Sequence, residues 1–193
     1  MTREVSFRNR QRTRALNIPL LRRITRHVLE SDLGVASCEL GVHLVEPEEM
    51  ERVNQQFLGH EGSTDVITFD YRSSVQGRAV LPRGPNRRKC ITRQQAQAAA
   101  QQRRPTVLHG EIFISVADAV KQAREFRTAW QSEIIRYVVH GLLHLRGHDD
   151  LQPAARKVMK REENRLVRLI ESQFAIKRLA RTRNSKLKTR NSF

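Results

Sequence analysis

The stretch "QSEIIRYVVHGLLHLRGHDD" (131–150) carries most of what the sequence says about fold and chemistry together. From 131 to 145 apolar residues recur at helical spacing, with Ile134, Val138, Leu142 and Leu145 along one side. That is the pattern of a helix that buries one face. His140 and His144 are four residues apart, so their imidazoles project from successive turns of the same surface, at the rim of the buried face. Gly147 stands three residues after His144, where a helix ends in a left-handed turn that glycine enters without steric cost. The chain then reverses and Asp150 returns toward the two histidines. The pattern H-x-x-x-H-x-x-G-x-x-D offers two imidazoles and one carboxylate, which suits one tetrahedral Zn²⁺ with its fourth position open to water. Water in such a position loses a proton near neutral pH and becomes a nucleophile. His148 and Asp149 compete with Asp150 as third ligand. His148 lies too close to the turn to fold back and is expected at the rim of the site, and Asp149 points differently in an extended exit. The plain alternative is a capped helix with surface histidines and no ion.

The spacing also matches the metzincin proteases, whose motif has glutamate directly after the first histidine. Here that position is Gly141. Without this general base, peptidase chemistry of that kind is disfavoured.

Outward from this helix the chain alternates between strand and helix patterns. "EVSFRN" (4–9) reads as an edge strand, and "CELGVHLV" (38–45) alternates at period two through Leu40, Val42 and Leu44. "DVITFDY" (65–71) and "HGEIFISV" (109–116) are β-branched and aromatic, hence strands. "NIPLLRRITRHVLESD" (17–32) places Ile18, Leu21, Ile24 and Val28 on one helical face, with Pro19 in the first turn. "PEEMERVNQQFL" (47–58), "ADAVKQAREF" (117–126) and "PAARKVMKREENRLVRLIES" (153–172) are further helices. Trp130 is expected to start a helix in the core. The expected fold class is α+β: a small mixed β-sheet packed by about five helices, with a metal site at the end of a helix.

At 193 residues the composition bounds the rest. One domain is expected over 1–170, with a basic insertion at 72–108 and a basic C-terminal tail at 171–193. The insertion carries nine Lys/Arg and no acid, and the tail carries seven Lys/Arg against Glu171. These two segments account for nearly all of the net charge of +16, leaving the remainder close to neutral. Such segments attract polyphosphate through counterion release, or else are simply solvated tails. Within the insertion "RQQAQAAAQQRR" (93–104) tolerates a short helix, and the end from 178 onward is expected to fray. Cys38 and Cys90 are too few for a disulfide framework. No apolar run approaches the ~20 residues needed to span a bilayer, and the N-terminus has no signal-peptide core, so a cytoplasmic location is expected. Aromatics are 5% of the chain, which argues against recognition of single strands by stacking.

"HGLLHLRGHDD" (140–150) resembles the signature of the YbeY family of bacterial endoribonucleases, H-G-x-L-H-L-x-G-[YFH]-D-H. "STDVITF" (63–69) resembles that family's P-T-D-V-[LI]-S-F segment, and "GEIFIS" (110–115) its G-D-I-x-I-S strand. The resemblance covers about residues 36–170 apart from 72–108. It implies a single-domain α+β metalloprotein of the cytoplasm, a single-strand-specific endoribonuclease. The implied work is maturation of the 3′ end of 16S rRNA and ribosome quality control. The implied partners are ribosomal RNA and the small ribosomal subunit, with no membrane. The family's metal-ligand positions fall on His140, His144 and Asp150, the third being normally histidine. Aspartate there keeps ligand capacity but adds negative charge, which makes a bound water less acidic.

Leu58 is a second departure. It occupies the place where many members have an arginine thought to matter for RNA cleavage, and arginines of 72–108 are candidates to replace it. Thr64 and Asp65 are candidate cleft or substrate contacts, together with His148. For Thr64 and Asp65 local turn chemistry before a strand is the favoured reading. His109 reads as structural or exposed, and His60 has no assigned role. No general base is identified. Two other functions fit parts of the pattern: a ribosome-associated RNA-binding assembly factor with a structural metal, and a metallopeptidase-like hydrolase.

Overall fold

The computed structural model describes residues 2–59, 62–72 and 106–181. Within them four strands form one mixed sheet: β1 (Arg3–Asn9), β2 (Val35–Val45), β3 (Val66–Asp70) and β4 (Thr106–Ser115). Their order across the sheet is β1-β2-β4-β3; β1, β2 and β4 run parallel, and β3 pairs antiparallel with β4. Five α-helices accompany the sheet among the described residues: α1 (Ile18–His27), α2 (Pro47–Leu58), α3 (Val116–Glu125), α4 (Trp130–Leu145) and α5 (Pro153–Gln173). The fold is α+β, as the alternating patterns indicate.

Strand alternation divides the sheet into two faces. Leu40, Val42 and Leu44 of β2 join Ile112 and Ile114 of β4 on one side, where α1, α4 and α5 cover them in the main core. On the other side Val45, Ile67 and Phe69 pack under Met50 of α2 in a smaller core. The central element of the main core is α4, with Ile134, Ile135, Val139, Leu142 and Leu145 fully buried. It lies so close to β4 that a Cβ on Gly141 would meet the Ile112 side chain at 2.8 Å. The face bearing Gly141 therefore looks into the sheet, and a glutamate there would be driven into the core rather than toward His140.

Several boundaries differ from the sequence expectations. β2 and β4 each begin three residues earlier than the alternation indicates, because Val35–Cys38 and Thr106–Leu108 pair with each other beyond the obvious apolar run. The strand 65–71 is shorter, since Asp65 caps it rather than joining it. The helix expected over 17–32 is α-helical to His27 and then widens to a π-turn over Val28–Asp32. That turn keeps Val28 and Leu29 buried, and Asn17 accepts a hydrogen bond from Leu20 N at 3.1 Å as its N-cap.

The described ends of the segments expected as basic insertion and tail belong to the folded body. Arg72 is anchored, its guanidinium pairing with Asp70 at 2.6 Å and donating to Leu145 O. Residues 106–108 belong to β4. At the other end α5 runs through Gln173, a 3₁₀ turn follows at Ile176–Leu179, and Leu179 is fully buried. Ala180 bridges to Leu16. An apolar leucine in a basic run is what holds this piece down, so fraying does not begin at 178. The possible helix at 93–104, His60, Cys90 and residues 182–193 lie outside the described residues.

Trp130 opens α4 and packs, partly buried, against the main core. Cys38 is buried and forms no disulfide among the described residues. No helix among the described residues is long and apolar enough to cross a membrane.

Candidate metal centre

The last turn of α4 explains how three separate side chains meet. Gly147 adopts φ +89°. Its N–H donates to His144 O at 2.8 Å, and His148 N–H donates to Leu143 O at 3.0 Å. This pair of bonds satisfies carbonyls that the helix end would otherwise leave open, and it reverses the chain. Asp150 is thereby turned back over the histidines. His140 Nε2 and His144 Nε2 are 3.0 Å apart. Asp150 Oδ2 and Oδ1 lie 4.0 Å from His140 Nε2 and His144 Nε2 respectively. All three ligand atoms fall within 4.8 Å of one another, the one such group of three among the described residues.

The other nitrogen of each ring is already committed. His144 Nδ1 donates to the His148 carbonyl at 3.1 Å, and a carbonyl can only accept. His140 Nδ1 donates to Glu163 Oε2 at 3.0 Å. With Nδ1–H fixed in both rings, the two Nε2 lone pairs point into the same space when the rings are neutral. Two acceptors so close repel unless they share a cation. Ligands of a tetrahedral zinc ion sit about 3.3 Å apart, from Zn–N bonds of about 2.0–2.1 Å, so the observed separations fit such an ion with little adjustment. Burial, and secondarily the neighbouring His140, push the His144 pKa below its ordinary value despite Asp150. That keeps the ring neutral, as ligation requires.

The rival ligands are placed elsewhere. Asp149 Oδ1 accepts from Leu151 N at 3.0 Å and stabilises the exit turn. His148 contributes its carbonyl to His144, while its half-buried side chain stays outside the ligand group. Asp150 is held through its own carbonyl, which accepts from Arg156 Nε at 2.9 Å.

Glu163 and Arg136 are absent from the sequence-level candidates. Glu163 is 3% exposed, yet it accepts from His140, from Arg136 at 2.6 Å and from Lys160 at 3.0 Å. Burial alone would raise its pKa; hydrogen bonds from His140, Arg136 and Lys160 outweigh that and hold it at about 2. A carboxylate on the far side of a ligand histidine fixes the ring and raises its basicity. One signal was available: Met159, Glu163, Leu166 and Ile170 lie on one helical stripe, so an acid interrupts an otherwise apolar face. Arg136 lies one turn before His140 on α4, and its guanidinium also reaches Glu133 at 3.3 Å.

His140, Asp150 and Glu163 line a cavity of about 510 Å³ that also takes in Asp65, Tyr137 and Phe126. Asp65 Oδ1 accepts from Val66 N at 3.0 Å and from Thr64 Oγ1 at 3.2 Å, the turn chemistry expected for this pair, and Asp65 faces the same cavity as His140. The Tyr137 hydroxyl is closed off from solvent without a hydrogen-bond partner among the described residues; burial and then Asp65 raise its pKa, so it stays protonated. Leu58 closes α2, but its side chain lies outside the described residues. His109 pairs with the exposed Glu39 at 3.6 Å on the sheet face away from α4.

Comparison with known proteins agrees with this architecture. Residues 6–171 match the family described as Endoribonuclease YbeY. A protein of Salinibacter ruber named Endoribonuclease YbeY is 30% identical over 158 residues, covering 82% of this chain and 86% of its own length. The protein of the same name from Chlorobium phaeobacteroides is 30% identical over 79% of this chain and 87% of its own. The solution structure of TM1509 from Thermotoga maritima superimposes with a TM-score of 0.54 at 22% identity, over 96% of this chain and 99% of that one. That likeness concerns the fold. With the motif, the fold and the matched span in agreement, the chain belongs to the YbeY endoribonuclease family.

Proposed function

We propose that the protein is a metal-dependent endoribonuclease that cleaves single-stranded RNA, with ribosomal RNA of the small subunit, at the 16S 3′ end, as substrate and ribosome quality control as its setting. The observation that carries the reading is the convergence of His140 Nε2, His144 Nε2 and the Asp150 carboxylate beside a cavity that His140 and Asp150 line. His140, His144 and Asp150 would hold one Zn²⁺, which when bound acidifies a water or polarises a phosphate oxygen.

The chain's own groups perform the remaining tasks. Glu163 locks His140 in the ligating tautomer and the His148 carbonyl does the same for His144. Asp65 commits Oδ1 to the turn and offers Oδ2 to a substrate hydroxyl or water in the cavity. Thr64 keeps that carboxylate oriented. Arg156 and Lys160, on the same cavity wall, supply positive charge where phosphate charge builds up.

The other two functions are less well supported. A structural zinc site is normally closed by four protein ligands, and three are grouped here among the described residues. A peptidase base at position 141 is excluded by the packing of Gly141 on Ile112. The test is RNA cleavage and metal content of the purified protein beside His144→Ala. Loss of both in the variant is the expected result; equal cleavage by the two proteins would remove the ion from the mechanism.

A further inference from the structure

Helix α1 carries Arg22, Arg23 and Arg26, followed by His27, on little more than one turn. Some arginines elsewhere are matched by acids: Arg10 with Glu49, Arg72 with Asp70, Arg136 with Glu163, Arg165 with Glu162. On α1 none of the three forms an ion pair among the described residues. Aromatic rings hold two of them instead. Arg22 sits over Phe7 at 5.8 Å and Arg23 over Phe174 at 5.5 Å from the ring centroid. Such contacts orient a guanidinium without neutralising it. The His27 ring meets Phe174 edge-on at 5.2 Å.

Arg22, Arg23, Arg26, His27 and Phe174 line a cavity of about 520 Å³, with Glu30 as its one carboxylate among the described residues. Glu30 is itself drawn toward Arg3 at 3.7 Å. The arrangement works against the fold's own stability. Like charges one turn apart repel by about 0.2–0.5 kcal/mol per pair, and Arg22 Nε is buried without a hydrogen-bond partner among the described residues. A polyanion would offset both costs.

We propose that this groove between α1 and Phe174 is an anchor for the phosphate backbone of single-stranded RNA, separate from the metal centre. It rests on the RNA reading above. Phe174 follows Glu163 by 11 residues, about 16 Å along α5 at ~1.5 Å per residue. A strand that reaches both places must therefore be several nucleotides long, whereas a dinucleotide occupies one of them.

Arg23 and Arg26 are both exposed, so replacing them leaves the core untouched. The test compares Arg23→Gln/Arg26→Gln with Arg8→Gln/Arg52→Gln, which removes the same charge from exposed positions elsewhere. The measurement is binding of a single-stranded RNA of about 12 nucleotides across a salt series, where each lost phosphate contact lowers the log–log slope by about 0.7. The α1 pair is expected to lower the slope by about 1.4 and to weaken binding about tenfold near 0.1 M salt. The control pair should change little, and dinucleotide binding and zinc content should stay as in the parent.

Equal slopes for the two pairs would overturn the anchor, even if RNA is still cleaved. Perturbation of α1 by inorganic phosphate alone, with an unchanged RNA slope, would also overturn it. Because the slope is read from binding, it holds or fails independently of whether the protein proves to be a nuclease.

Discussion

Of the histidine–glutamate pairs among the described residues, two are built to opposite ends. On the helical side His140 is backed by Glu163, and its second nitrogen turns toward His144 and Asp150. On the opposite face of the sheet His43 Nε2 pairs with Glu111 Oε1 at 3.2 Å, and Tyr71 donates to Glu111 Oε2 at 2.9 Å. There the His43 ring is stacked flat on Phe113 with centroids 4.4 Å apart, and Gly41 leaves the space the two side chains fill. Similar residues are in both places. The first pair leaves lone pairs aimed at a common point, while the second spends Nε2 on Glu111 and buries Nδ1 with no second ligand beside it among the described residues. Convergence, and not the presence of a histidine beside an acid, is what makes a candidate ion site.

That contrast can be broken most forcefully at the ligands. His140→Ala should abolish metal binding and reduce RNA cleavage by at least about 10³-fold, while His43→Ala should keep both. Metal analysis and a cleavage assay on the same preparations decide it; parallel losses would erase the distinction. Next in size is the supporting carboxylate. Glu163→Gln should weaken metal affinity by about 10–100-fold, and Glu111→Gln should leave it unchanged while costing about 1 kcal/mol of stability. A competitive chelator titration, paired with urea unfolding, separates the two effects.

A third contrast sits within α4, between His140 facing the cavity and Gly141 facing the sheet. Gly141→Ala should cost about 1–3 kcal/mol through overpacking against Ile112, read as a lower urea midpoint; an unchanged midpoint would mean that the helix can move away from β4.

The smallest effect concerns Tyr71. Burial, and then the hydrogen bond to Glu111, push its phenol up to about 12. Its proton is therefore held in the folded protein after the unfolded chain has lost it, so Tyr71 makes stability fall as pH rises from about 10 toward 12. Tyr71→Phe should flatten that part of the stability profile, and a tyrosinate absorbance titration should lose its step at about 12.

What could be read from the chain follows the range of each interaction. The helix 130–145, its glycine turn and the pairing of His140 with His144 depend on contacts within a few residues, and spacing reports these directly. Strand alternation likewise separated Leu40, Val42 and Leu44 from the opposite face. The limits of β2 and β4 were less legible because their ends are set by pairing with each other. Charge read by segment placed the basicity in 72–108 and 171–193 and left the rest near neutral. It passed over α1, where Arg22, Arg23 and Arg26 are balanced in the sum by acids such as Glu30 that pair with other arginines.

The sequence by itself determined the helix that presents two imidazoles, the turn that reverses the chain, and the α+β class. Tertiary structure decided that Asp150 and not Asp149 joins the histidines, that Glu163 backs His140 across 23 residues, and that Phe174 meets the arginines of α1. The physical reason is that helical geometry fixes neighbours three and four residues apart, whereas partners from different helices are chosen only when the apolar faces of those helices pack.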